Sequence, residues 1–532
     1  MGKTINMEVI FLKNLFLILF LLSGGILNAQ FTNVMISNTG SPNEPSIMMN
    51  PLNPMQLVAG SNLNYVYYST NGGANWTRQT MTSTFGVWGD PCIIIDTAGH
   101  YYYFHLSNPA GGSWIDRIVC QKSTNGGVTW NNGNYFGLRS PAKEEDKEWA
   151  VVDRTNNNIY VSWTEFDEYG SSSPSDSSRI WFVRSTDAGA SWTTERRIDK
   201  LGGDCVDEDN TVEGAVPTVG PNGEVYIAWS GPLVRNTTYG IFFNRSTDAG
   251  NTWLSNPIYI GDQPGGWDYT ISGLTRCNGL PVTDCDISGG PYNGNIYVNF
   301  TDQRNGITDT DVWLYKSTDG GNNWSNAIRV NNDPAGKQQF MSWMDVDQET
   351  GYIYVVFYDR RAYTNTQTDV YIARSTDGGD TFENIKISTT PFTPVTGFFG
   401  DYTNIVAQNG IVRPIWTRLD GANLSIWTAL IDMSTSVQLT GSEVPADYSL
   451  GQNFPNPFNP MTSIRFDIPS QDFVRLKVYD LTGREVASLV NEQLNAGQYS
   501  VNFNGSGIAS GTYIYRLQAG NVTLTKKMVL VK

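Results

Sequence analysis

Six eight-residue strings of nearly the same spelling punctuate this chain: STNGGANW at 69–76, STNGGVTW at 123–130, STDAGASW at 185–192, STDAGNTW at 246–253, STDGGNNW at 317–324 and STDGGDTF at 375–382. Their starts lie 54 to 71 residues apart, so one supersecondary unit is being repeated. The string has a direct physical reading. The Asn or Asp two residues after the Ser accepts backbone N–H groups and closes a tight turn. The Gly two places later supplies the positive φ that the turn demands, and the final aromatic folds back against a sheet face. Strand-like runs precede the copies, for example 180–184, 239–245 and 312–316. Each string is therefore expected to hold a hairpin turn, not to touch a substrate.

A second pattern recurs between the strings. Innermost-type strands are expected near Glu44-Pro45-Ser46, Asp90-Pro91, Glu148-Trp149, Glu213-Gly214, Trp267-Asp268-Tyr269, Met341-Ser342-Trp343 and Asp401-Tyr402. Most are followed by a turn and a second apolar strand, as at 158–163, 224–229 and 352–357. The count gives seven units, and four-stranded sheets repeated about an axis make a β-propeller. The seventh unit supplies three strands, with residues 31–37 available as its fourth. The strings resemble the Asp-box (BNR repeat) of sialidases and related propellers. With the count of units, the resemblance leads to the expectation of an all-β, seven-bladed Asp-box β-propeller over 30–434, with the six blades of sialidases as the alternative if two short units share one blade.

Residues 1–29 read as a secretory signal. Lys3 and Lys13 give a positive start, 15–22 is the apolar stretch, and Asn28-Ala29 before Gln30 offers a cleavage site. That stretch is too short to span a membrane comfortably, and no later segment qualifies. The net charge of −16 argues against nucleic acid or an anionic surface as partner. Cys92, Cys120, Cys205, Cys277 and Cys285 are odd in number, so at least one thiol is left unpaired or intermolecular; Cys277 with Cys285, in one loop, is the most natural disulfide. With only His100 and His105, a His-based metal or triad site is not expected.

Residues 435–450 read as a polar linker, after which the composition changes. GQNFPNPFNP at 451–460, VYDLTGREV at 478–486, GTYIYRL at 511–517 and the KKMVLVK end resemble the C-terminal sorting domain of the type IX secretion system. The resemblance implies a small immunoglobulin-like β-sandwich over 451–532, the type IX secretion machinery as partner, and a protein secreted or held at the outer-membrane surface.

In a propeller of this strand order the turn strings lie on one face. Loops entering the innermost strands open on the other, where carboxylates, aromatics and arginines would converge in a mouth suited to sugars. Resemblance to sialidases implies catalytic Asp90 as acid/base and Tyr402 as nucleophile with Glu213 as its partner, and a substrate clamp of Arg304, Arg360 and Arg418. A planar guanidinium matches a carboxylate bidentately, and tyrosine replaces the usual carboxylate nucleophile in that class. One departure stands out: Glu44-Pro45-Ser46 occupies the place of the family's first arginine, and no arginine precedes Arg78. The reading is a sialidase-like protein acting on or binding a glycan or glycoprotein, as an exo-glycosidase or as a non-catalytic binding propeller. Asp–Arg neighbours such as Asp302 with Arg304 have a second reading, as ion pairs that hold blades. The acidic run at 204–209 offers calcium ligands in Asp204, Asp207 and Asp209.

Overall fold

The computed structural model describes residues 31–433, 438–441, 444–459, 461–505 and 508–531; the expected secretory signal lies outside them. Among the described residues every regular element is a β-strand, and no helix is long and apolar enough to cross a membrane. Alternating polar and branched or aromatic residues, broken by Gly, Asn and Asp every few positions, leave no room for a helical face.

Seven four-stranded antiparallel sheets precede residue 433. The first strands of the first six are Ser46–Asn50, Cys92–Ile95, Glu144–Val152, Glu213–Val219, Val282–Cys285 and Gln339–Val346. The seventh begins with Asn404–Gln408 and continues through Ile411–Asp420 and Asn423–Asp432. Its fourth strand is Thr32–Ser37, paired to the last of these with Thr32 opposite Leu430. Each first strand packs on the first strand of the next sheet, and the seventh returns to the first. The sheets thus form a closed, propeller-like ring with no long free edge.

Inner-strand acids stitch neighbouring sheets. Asp345 of the sixth sheet accepts the Ala407 N–H at 2.6 Å in the seventh, and Asp284 of the fifth accepts Val346 N–H at 2.8 Å in the sixth. Each such bond satisfies a backbone donor that lies next to a seam rather than inside a ladder.

All six turn strings join third to fourth strands. In the fourth copy, Ser246 Oγ accepts the Gly250 N–H at 2.8 Å, and Asp248 Oδ1 accepts the Thr252 N–H at 2.8 Å. In the first copy, Ser69 and Asn71 do the same for Gly73 and Asn75. The Gly at the fifth position of each string takes φ between 78° and 91°, a region closed to most side chains.

Two elements differ from the sequence expectation. Asp268–Tyr269 is not the inner strand of the fifth sheet; it pairs with Cys277–Asn278 as a two-stranded ribbon, and Val282–Cys285 takes the inner position. The connection between the ribbon's two strands carries Arg276, which pairs with Asp401 of the seventh unit. Cys277 and Cys285 consequently sit on different ladders, and all five thiols are free and buried.

After residue 437 two further four-stranded sheets appear. One orders Gln438–Gly441, Gly497–Asn504, Met461–Ile468 and Ser449–Leu450; the other orders Glu485–Leu494, Asp472–Tyr479, Gly511–Ala519 and Val522–Leu530. The polar stretch read as a linker therefore contributes two short strands. Ile464, Phe466, Leu476, Tyr515 and Met528 share the core between these sheets.

Candidate functional site

Charged residues reach the axis because the chain is bent where it enters the inner strands. Glu44, Asp90, Lys147 and Met341 take φ of 50°, 52°, 52° and 47°, in the first, second, third and sixth sheets. Non-glycine residues in this region are strained, and such strain gathers where a side chain must be re-aimed. In the third and sixth sheets the same residues coincide with register shifts, between Asp146 and Trp149 and between Phe340 and Trp343. A bulge of this kind turns a side chain out of the pleat.

Lys147 is the centre of the cluster. Its Nζ lies 3.1 Å from Asp401 Oδ2, 3.4 Å from Asp90 Oδ2 and 3.4 Å from Asp146 Oδ2. Arg276, from the two-stranded ribbon, pairs with Asp401 and reaches Asp207 Oδ2 at 2.8 Å. Tyr169 donates its hydroxyl to the same Asp207 carboxylate. Glu44 accepts from the Asn62 amide and from the Asp401 N–H at 3.0 Å. The floor is aromatic: Trp149 lies 4.2 Å from Trp343 and 5.1 Å from Tyr402, ring centre to ring centre, so three sheets close the axis together. Between floor and charges is a cavity of about 20 Å³ lined by Lys147, Asn278, Ser342, Asp401 and Tyr402 among others, room for about one water.

Burial splits the protonation of these acids. Burial pushes Asp146 up to about 7 against the pull of Lys147, with Asp90 and Asp207 adding repulsion. Burial, and then Asp207, raises Glu213 well above the carboxylate range, and both its oxygens lack a hydrogen-bond partner among the described residues. Asp401 goes the other way: burial opposes its charge, but Lys147 and Arg276 outweigh it and hold it ionised. Burial also disfavours charge on Lys147, yet Asp146, Asp90 and Asp401 keep it an ammonium. Tyr402 is raised well above its usual value by burial, then by Asp90 and Glu44, so its hydroxyl stays protonated.

Of the expected catalytic residues, Asp90, Glu213 and Tyr402 all border this cluster. The expected arginines do not. Arg304 is clamped to Asp302 (Nη2 to Oδ2 2.6 Å) and lies over the Trp313 ring. Arg418 is held by Asp420 and by the carbonyls of Thr390 and Pro391. Arg360 is buried against Thr368 Oγ1 and Gln338 Oε1, each at 3.1 Å. The reason is positional: all three lie on or just past second strands of their sheets, one strand further from the axis, about 4.8 Å out, and no two share a partner. The cations at the axis are Lys147 and Arg276 instead. Sequence held a signal for Lys147, the one base in the run Glu144-Glu145-Asp146-Lys147-Glu148. Nothing in sequence marked Arg276, because the ribbon that carries it was read as an inner strand.

The carboxylates proposed as calcium ligands take separate partners. Asp204 accepts from Thr211, Asp207 from Arg276 and Tyr169, and Asp209 from the Asp268 N–H. Among the described residues no three His, Cys, Asp or Glu side chains are grouped to hold a metal.

Residues 452–532 match the family of secretion system C-terminal sorting domains. A xyloglucanase of Paenibacillus sp is 27% identical over 314 residues, which is 57% of this chain and 25% of the relative. The match thus spans about a quarter of that protein's length. Among solved structures, a protein of unknown function from Dyadobacter fermentans aligns over 76% of this chain and 100% of its own, with a TM-score of 0.45 and 13% identity. Trypanosoma rangeli sialidase in complex with sialic acid aligns over 85% of this chain and 84% of its own, with a TM-score of 0.39 and 10% identity. The sorting domain directs the protein through the type IX secretion system to the cell surface or the extracellular space.

Proposed function

We propose that residues 31–433 form a seven-bladed, sialidase-like propeller of Asp-box type, exported by an immunoglobulin-like C-terminal sandwich, that acts on neutral glycans outside the cell. The observation carrying this reading is the axial cluster of Asp90, Asp146 and Asp401 around Lys147, set over an aromatic floor. In that cluster burial raises Asp146 while Lys147 and Arg276 hold Asp401 ionised. Carboxyls pushed apart in this way supply the acid and the base that glycoside hydrolysis needs. Asp90 meets the substrate at the rim, and protonated Tyr402 donates a hydrogen bond instead of attacking. An anionic sugar does not suit the mouth, since Lys147 and Arg276 are already neutralised by Asp401, Asp90 and Asp207. The Paenibacillus relative, named for xyloglucan, agrees with a neutral substrate.

The test is reducing-end release by the full exported chain from xyloglucan, with sialosides in parallel. Turnover on xyloglucan that falls in Asp146→Asn supports the proposal; sialic acid release without action on the neutral polymer overturns it. The small axial cavity favours a second reading, binding without hydrolysis. Saturable binding with no product would select it.

A further inference from the structure

Beside the mouth, between the second and third sheets, one tryptophan faces solvent. Trp114 is 40% exposed, and its ring is held from two sides. Trp88 meets it at 6.2 Å and 89°, and Tyr169 at 5.7 Å and 87°. Tyr169 is itself buttressed by Phe166 at 5.0 Å and anchored through its N–H to Glu144 Oε2 at 3.1 Å. The next residue, Ile115, is buried and takes φ of 44°. A β-branched side chain in that region is a true outlier. Its backbone is locked nonetheless: Ile115 N–H donates to Ser107 O at 2.9 Å, and Ile115 O accepts Glu145 N–H at 2.8 Å. The fold thus accepts strain at Ile115 that leaves the adjacent indole outside, although burying that indole would be favourable.

We infer that Trp114, with Trp88 and Tyr169, is a stacking subsite for a pyranose ring of a neutral glycan chain entering the acidic mouth. The inference rests on the glycan reading above and gives that mouth an entry side. Trp88 lies two residues before Asp90, and the Tyr169 hydroxyl bonds the Asp207 carboxylate that holds Arg276. The platform is thereby joined through Trp88 and Tyr169 to the segments that carry Asp90 and hold Asp207. An aromatic platform fixed before binding loses little side-chain freedom when a sugar covers it. The surrounding charge selects against acidic sugars, because the cations Lys147 and Arg276 are already paired to Asp90 and Asp207.

The experiment is calorimetric titration of the full exported chain with xyloglucan oligosaccharides and with sialyllactose, for the wild type, Trp114→Ala and Trp114→Phe. Expected are roughly tenfold weaker binding of the neutral oligosaccharide in Trp114→Ala, about 1.4 kcal/mol, substantial retention in Trp114→Phe, and a cooperative melt in both that shows the fold is kept. Arg304→Lys, at a residue clamped to Asp302 away from the mouth and the platform, serves as the control and should keep its affinity. Equal affinity of wild type and Trp114→Ala overturns the subsite while leaving the glycan reading intact. A wild type that binds no neutral oligosaccharide, or prefers sialyllactose, overturns both.

Discussion

Lys147 Nζ lies 3.1 Å from Asp401 Oδ2, an ion pair that crosses the ring axis from the third sheet to the seventh. Both side chains are almost fully buried, at 4% and 2% exposure. Two sheets that share no seam are thereby tied at the point where the candidate chemistry sits.

Removing one member of that pair leaves the other charged and buried. Lys147→Met should cost about 3–5 kcal/mol of stability, read by urea denaturation, because Asp401, Asp90 and Asp146 lose their common partner. Adding Asp401→Asn to it should restore part of the loss. A double variant as unstable as the sum of its parts would show that the two residues act independently.

Asp146 makes stability depend on pH in an uncommon direction. Its folded value is raised to about 7 from an ordinary 3.8, so between those values the folded chain binds more protons than the unfolded one. The Asp146 contribution to stability is therefore present below about 4 and is lost as pH rises toward 7. Asp146→Asn should flatten the fall in stability over that window. An unaltered slope in denaturation curves taken across it would remove the raised value from consideration.

The turn strings contain their own control. Asn71 and Asn125 do in the first two copies what Asp does in the others. Asp248→Asn should therefore change stability by less than about 0.5 kcal/mol, whereas Ser246→Ala, which strips the acceptor from the Gly250 N–H, should cost about 1 kcal/mol or more. Thermal melts of the two variants separate these outcomes.

Arg304 and Arg418 serve the architecture. Arg304→Lys loses the fork that grips Asp302 and lies over Trp313, and lysine cannot reproduce it. Lower melting temperature with unchanged glycan affinity is expected for Arg304→Lys and for Arg418→Lys. A selective loss of affinity would return these residues to a clamp.

The five cysteines should be silent toward a thiol reagent in the folded protein and all reactive after denaturation, since each is buried and unpaired. Fewer than five thiols in denaturant without reductant would show a disulfide that the fold does not contain.

The repeats made much of the ring legible. Because each Ser-x-Asn/Asp-x-Gly string encodes its own turn, the third-to-fourth-strand connections could be placed from sequence, and with them the face on which Asp90, Glu213 and Tyr402 meet. The ring closure by Thr32–Ser37 was legible for the same reason, since the last unit was one strand short. Ribbon 268–278 was misplaced because Trp267-Asp268-Tyr269 has the composition of an inner strand; only the pairing of Asp268 with Asn278 distinguishes it. The clamp failed on a radial distance. Sequence order indicates which end of a strand a residue occupies but is a poor guide to how far from the axis its charge is neutralised, and Asp302 and Asp420 intercept Arg304 and Arg418 first. Lys147 was hidden among acids, where a base looks like surface patterning until the bulge at Asp146–Trp149 turns it inward.

The pairing of Thr32 with Leu430 has a temporal consequence. A chain emerging from its N-terminus must hold residues 32–37 unmatched until nearly four hundred more have been made, so the circle cannot lock early and its contacts are among the least local available to it. Cutting away Thr32–Ser37 would leave the edge of Asn423–Asp432 unmatched and open the seam that closes the circle.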